Sequence, residues 1–131
     1  MALVDANVVL RYLLDDHKEL SPKAAEILEK HSVTLPGEVG CEVVYVLQKV
    51  YAVERKQIQQ SLGDLLKEGL VSMDKPDIFL QALAYYSDSS LDFVDTLLWA
   101  YQALERQEVF TFDGQLLKCM QRTQEHGKPK P

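Results

Sequence analysis

The stretch VDANVVLRYLL at residues 4–14 decides the fold. With Ala2 and Leu3 before it, the chain opens as a short apolar strand, meets a carboxylate at Asp5 and continues as a helical segment, Asn7 to Leu14. A strand that stops at an aspartate and resumes as a helix is the opening of a strand–helix–strand unit, because aspartate caps a helix well. The same pattern returns near the other end. VFTFDGQLL at 109–117 reads as a strand, Val109 to Phe112, then Asp113, then a short helix from about Gln115.

Between these ends, strands and helices alternate. Ser21-Pro22 is a helix start, with proline at the first helical position, and opens Lys23 to His31. Val33 to Leu35 is a second strand, stopped by Pro36-Gly37. Glu38 to Ala52 is a helix, with Val39, Val43, Val46 and Val50 at i, i+4, i+7 and i+11. Glu54 to Glu68 is another, ended by Gly69, and Leu70 to Met73 is a third strand. Asp77 to Tyr86 is a short helix. Leu91 to Arg106 is longer and apolar around most of its circumference. Such alternation predicts a three-layer α/β/α sandwich around a central parallel sheet of four strands. A fifth strand stays open, since Cys119 to Pro131 has no convincing strand pattern. The expected organisation is a single domain over 1–120 and a polar, flexible tail over 121–131.

Composition narrows the function class. The chain has 131 residues, 47% apolar and 26% charged, which is ordinary for a globular domain with its own core. Two cysteines with no CxxC pair do not form a disulfide scaffold or a structural zinc site, so a reduced, cytoplasmic protein is expected. The N-terminus has no basic region and meets Asp5 early, unlike a signal peptide. No run is long enough to span a bilayer. Fourteen Lys and Arg stand against 20 Asp and Glu, a net charge of −6. That balance excludes a protein that holds nucleic acid by a broad basic face alone. It allows an enzyme whose carboxylates gather a divalent cation, because the cation inverts the local field.

Several carboxylates sit where they can converge. In parallel sheets, ligands bind beyond the carboxyl ends of the strands, and Asp5 and Asp113 end the first and fourth strands. Each is also a plain helix cap in its own right. Glu42 flanks the valine stripe of its helix, either as a rim residue or as a ligand. Asp92 and Asp95 share a face at the start of the Leu91 helix. There they either serve the helix macrodipole or face a cleft. Asp95 is the preferred ligand because it lies further into an apolar helix, and Asp92 stays a second candidate. Hard oxygen donors from separate elements, without His or Cys, suit Mg²⁺ or Mn²⁺. Such a site activates water and stabilises the leaving oxygen of a phosphodiester.

Four segments together resemble a known family: VDANVVLRYLL at 4–14, GCEVVYVLQKVY at 40–51, LDFVDTLLWA at 91–100 and VFTFDGQLL at 109–117. In order and spacing they are similar to the four motifs of the PIN domain, with the VapC-type toxin nucleases as the nearest branch. The resemblance spans roughly residues 2 to 118. It maps the family's catalytic and metal-binding acids onto Asp5, Glu42, Asp95 and Asp113. Asn7 matches the polar residue of the first motif, and Thr111 the hydroxyl residue before the last aspartate. The third motif departs slightly, with Asp95-Thr96 in place of Asp-Ala. The resemblance implies a metal-dependent endoribonuclease acting on RNA, often a homodimer, with a small cognate antitoxin as partner and no membrane association. It leaves open a non-toxin PIN nuclease in RNA processing and an inactive PIN fold used as a binding module.

A phosphoacceptor receiver domain is the reading from another class. It would need an acidic pair ending the first strand, an aspartate ending the third and a late lysine. The first strand here ends in a single Asp5 and the fourth in Asp113. No glycine pattern forms a phosphate loop. His17, His31 and His126 lie in polar contexts and share no spacing. Arg11 reads as a solvated helix residue, Cys41 as a small core residue, and Tyr85, Tyr86 and Trp99 as packing. Val44, Leu47 and Tyr51, with Ile58, Leu62, Leu65 and Leu66, widen the apolar faces of two consecutive helices. This suggests a groove for a partner helix.

Overall fold

The computed structural model describes residues 1–125. The chain divides into two compact units, Met1–Pro76 and the part from Asp77 onward. The first contains strand β1 (Ala2–Leu3), helices α1 (Ala6–Leu14) and α2 (Leu20–Lys30), strand β2 (Val33–Thr34), and helices α3 (Gly37–Lys49) and α4 (Arg55–Lys67). The second contains helix α5 (Pro76–Ser87, from the boundary residue on), α6 (Phe93–Glu105) and α7 (Gly114–Glu125).

In the first unit β1 and β2 pair in parallel, Ala2 opposite Val33 and Leu3 opposite Thr34. The amides of Ala2 and Val4 donate to Ser32 O at 3.1 Å and Thr34 O at 3.3 Å. The expected third strand, Leu70 to Met73, shrinks to a single parallel bridge between Thr34 and Ser72. The cause lies in the turn before it. The amides of Leu70 and Val71 both donate back to Leu65 O, at 3.0 and 3.4 Å, so neither is free for a ladder. The fourth expected strand, Val109 to Phe112, carries no regular structure. Phe110 is 87% exposed and Phe112 fully so, while Leu3 of β1 is 71% exposed. Aromatic and β-branched residues favour a strand only when an edge is there to pair with. Among the described residues the sheet thus has two strands and one added bridge, not four strands.

The helices follow the apolar periodicity closely. Val9, Leu10, Leu28, Val43, Val44 and Leu47 are buried in the first unit, where α1 packs on α2 and α3 and α3 packs on α4. The expected partner groove on α3 and α4 is corrected here. Val44, Leu47, Ile58, Leu62 and Leu65 are all buried, because α4 folds back on α3 and covers the widened stripe. Only Tyr51 of that set is exposed, and Tyr45 and Val50 are exposed beside it.

In the second unit the ring of Phe93 meets Phe79 edge-on at 5.1 Å between centroids and Tyr86 at 5.7 Å. Leu91, Leu116, Cys119 and Met120 form a cluster with Trp99 and Val109 packed against it. Helix α7 runs through Glu125, past the start of the expected tail at residue 121; residues 126–131, including His126, lie outside the described residues.

Helix α2 begins at Leu20, three residues before the sequence pattern suggests. His17 explains the shift. Its Nδ1 accepts the amides of Glu19 at 3.2 Å and Leu20 at 2.9 Å, and Ser21 Oγ accepts the His17 amide at 3.1 Å. Imidazole thus does the work of a capping side chain, satisfying amides that a helix start leaves unpaired. Arg11 is also corrected from a solvated residue. Its side chain is 14% exposed, pairs with Asp16 at 2.8 Å and donates to Tyr51 Oη at 2.9 Å.

Gly69 ends α4 with φ +77°. Its amide donates to Leu66 O at 3.2 Å, and the Leu70 amide reaches Leu65 O, a paired closure that requires a left-handed residue between them. A Cβ added at Gly69 would meet nothing within 4 Å, so the penalty of a side chain there is conformational alone. Gly69→Ala is expected to lower stability by about 1 kcal/mol. An unchanged urea midpoint for this variant would show that the turn does not hold α4.

Candidate functional site

Asp5 follows β1 and occupies the N-cap of α1. Its Oδ1 accepts the Val8 amide at 3.1 Å, and the side chain is exposed. A cavity of about 520 Å³ opens beside it, lined by Leu3, Val4, Val8, Ile27, Pro36 and Val39. The cavity therefore lies at the carboxyl ends of β1 and β2, where parallel sheets place their ligands. Glu42 stands on α3, one turn after Val39, and is exposed. Asn7 is exposed in the first turn of α1 and makes no hydrogen bond among the described residues.

The second unit carries the other acids. Asp113 precedes α7 and caps it, its Oδ1 accepting the Leu116 amide at 2.8 Å. Thr111 Oγ1 in turn accepts the Asp113 amide at 3.0 Å, which fixes the backbone that carries the carboxylate. That gives the hydroxyl before the last aspartate a physical task. Asp92 is the N-cap of α6 but makes no side-chain cap bond. Asp95 lies in the first turn of α6, half-buried. Thr96 beside it is fully buried, and its hydroxyl donates to Phe93 O at 2.7 Å, so the residue that departs from the family pattern is a satisfied core residue.

Electrostatics single out Asp95. Burial pushes its carboxyl pKa above the ordinary aspartate value, and the charges of Asp113 and Asp92 push it the same way. Three carboxylates of this unit therefore feel one another. Within either unit, no three His, Cys, Asp or Glu side chains among the described residues lie close enough to hold a metal ion by themselves. The donor chemistry still fits a hard divalent cation. The acids are carboxylates throughout, and Asp95 has neighbouring negative charge with no ion pair among the described residues to offset it. Asp92, which sequence reasoning left undecided, adds to that local field. Cys41 is half-buried on α3, and burial pushes its thiol pKa up, with the charge of Glu38 adding to the effect.

The raised Asp95 pKa has a definite sign for stability. Below the unfolded pKa, about 3.9, the group is protonated in both states and contributes nothing. As pH rises through that value the unfolded chain ionises freely and the folded one does so at a cost, so ionised Asp95 destabilises the metal-free fold. Asp95→Asn is therefore expected to raise the melting temperature in EDTA at pH 7, with the gain fading towards pH 3. A gain independent of pH would show that packing and not charge is responsible.

Comparison with curated proteins and with solved structures finds no match. Comparison with protein families finds one. The match begins at β1 and ends within α7, so it takes in Asp5 at the first strand end, Glu42 on α3, Asp95 on α6 and Asp113 before α7. Over residues 2–119 the sequence matches the PIN domain, and the chain belongs to that family.

Proposed function

We propose that this chain is a metal-dependent endoribonuclease that hydrolyses RNA phosphodiester bonds, and that it is the toxin of a toxin–antitoxin pair. PIN domains are in general nucleases that use divalent metal ions. The observation that carries the reading is the family match itself, which runs through both compact units and takes in all four acids. On this reading residues 1–120 work as one nuclease domain. Asp5, Glu42, Asp95 and Asp113 converge at the carboxyl edge of the sheet, with Asp92 as an outer acid.

Mg²⁺ or Mn²⁺ is the ion of choice for such donors. When bound it polarises the phosphodiester and makes water nucleophilic at neutral pH. The chain's own residues set the stage. Asp5 and Asp113 hold one carboxylate oxygen each on a helix amide and keep the second for a ligand. Thr111 fixes the backbone of Asp113. Burial, and then the charges of Asp113 and Asp92, disfavour the ionised form of Asp95, a cost that a cation at this site would offset. The partners follow from the toxin reading: RNA as substrate, a second copy of the chain, and a small antitoxin whose Arg or Lys enters the acidic site. The cytoplasm is the expected compartment.

Asp5→Asn keeps the cap acceptor and removes the charge. RNA cleavage with Mg²⁺ or Mn²⁺ is expected to fall at least about 100-fold while the melting curve stays put. Asp92→Asn is expected to be milder. An Asp5→Asn protein that cuts RNA at the parent rate would overturn the metal-nuclease reading. Where a small open reading frame lies just upstream, its co-expression is expected to give a stable complex with suppressed cleavage. A chain that has no such neighbour and is harmless on overexpression is not a toxin, whatever its nuclease activity.

A further inference from the structure

A second cavity, of about 480 Å³, lies in the unit that carries Asp92, Asp95 and Asp113. Ser90, Trp99, Gln115, Arg122 and Asp88 line it. Its size is that of small-molecule sites. One wall is the indole of Trp99. That ring stacks on Tyr85, with centroids 3.6 Å apart and planes 5° from parallel. Its Nε1 donates to Thr123 Oγ1 at 2.8 Å, and Thr123 Oγ1 donates onward to Cys119 O at 3.1 Å. The indole is therefore held in one place, and contact with a flat ligand ring would cost little further ordering.

The polar groups of the cavity suit the rest of a nucleotide. Gln115 Nε2 donates to Ser90 Oγ at 2.6 Å, which orients the carboxamide. Its carbonyl oxygen makes no hydrogen bond among the described residues. It therefore keeps an acceptor, with a second amide hydrogen, for a base edge or a ribose hydroxyl. Arg122 forms no ion pair among the described residues, and the one side-chain partner of its guanidinium there is the weak acceptor Cys119 Sγ, at 4.0 Å. In a chain of net charge −6, a guanidinium with no carboxylate partner among the described residues suits a phosphate. Asp88 works against a bare anion and favours a ligand that brings hydrogen-bond donors with its phosphate.

The cavity is also well placed along the chain. Ser90 lies two residues before Asp92, and Gln115 two residues after Asp113. We propose that this cavity is a nucleotide subsite that holds one residue of single-stranded RNA, its base against Trp99 and Gln115 and its phosphate on Arg122. It positions the strand next to the acids. The proposal rests on the ribonuclease reading and adds where the strand lies.

Trp99 is the chain's single tryptophan, so its emission reports on the cavity directly. The experiment titrates the full chain in EDTA with a uridine hexanucleotide, exciting tryptophan selectively. A saturable change in emission is expected, and Arg122→Ala is expected to weaken it at least about tenfold. Gln115→Ala serves as a second variant should Arg122→Ala fold poorly. Gln121→Ala, outside the cavity, is expected to bind like the parent. A flat titration, or equal affinity in both cavity variants, overturns the subsite, and so does an equal response to inorganic phosphate alone. RNA cleavage with Mg²⁺ in a protein whose titration is flat overturns the subsite and leaves the nuclease reading standing. A saturable response in a protein that cleaves no RNA with any divalent cation keeps the cavity as an RNA site and removes the nuclease reading.

Discussion

Asp5 Oδ1 accepts the Val8 amide at 3.1 Å, and Asp113 Oδ1 accepts the Leu116 amide at 2.8 Å. These two bonds fix where α1 and α7 begin, and with them the direction each helix takes away from the preceding extended segment. A helix start leaves four amides unpaired, and a carboxylate with two oxygens can satisfy one of them and still present an oxygen outward. Cap and ligand are thus compatible tasks for one side chain. At Asp113 the arrangement is reinforced from behind, since Thr111 Oγ1 holds the aspartate's own amide. A site residue held by its own backbone keeps its geometry when its charge changes, as on binding a cation.

The helices were legible because apolar residues at 3.6-residue spacing leave a long pattern: Val39, Val43 and Val46 predict α3 correctly from end to end within a few residues. The strands were not. A parallel strand of two or three residues offers no period to read, and its existence depends on edges far away in sequence. Leu70 and Val71 read as strand residues, yet their amides close the α4 turn instead. Val109 to Phe112 has high strand propensity, yet propensity does not supply a neighbouring edge. The start of α2 was misread for a different reason. Ser21-Pro22 is a familiar opening, but His17 supplies an earlier cap, and histidine is not a residue that sequence rules expect there.

The place of each acid on its element is legible in the sequence, and the effect of one acid on another is not. The capping positions of Asp5 and Asp113 follow from an aspartate set just before a helical pattern. The preference for Asp95 over Asp92 rested on its place in an apolar helix, and burial is indeed the larger cause of its raised pKa. The influence of Asp113 on Asp95 could not be read from sequence, because 18 positions separate them and only the packing of α6 on α7 brings their helices together. The width of the apolar face on α3 and α4 misled in the opposite direction. Helix-on-helix packing consumes two faces at once, so an apolar surplus judged against a sheet alone counts buried residues as exposed.

Charge ties these observations to the chemistry. An acidic chain repels RNA at long range, and salt screening removes most of that repulsion beyond about 8 Å at physiological ionic strength. What decides binding is therefore the local field at the strand's path. Close to the acids, burial first and then the charges of Asp113 and Asp92 raise the Asp95 pKa, so the local field there has a negative component that favours a cation. Nine residues after Asp113, Arg122 presents positive charge with no ion pair among the described residues to cancel it. Opposite signs thus stand at the two ends of one helix, carboxylates at its start and a guanidinium near its close. The net charge thus excludes a general basic nucleic-acid surface but says little about either end of α7, where the local arrangement of acids and one guanidinium sets the field.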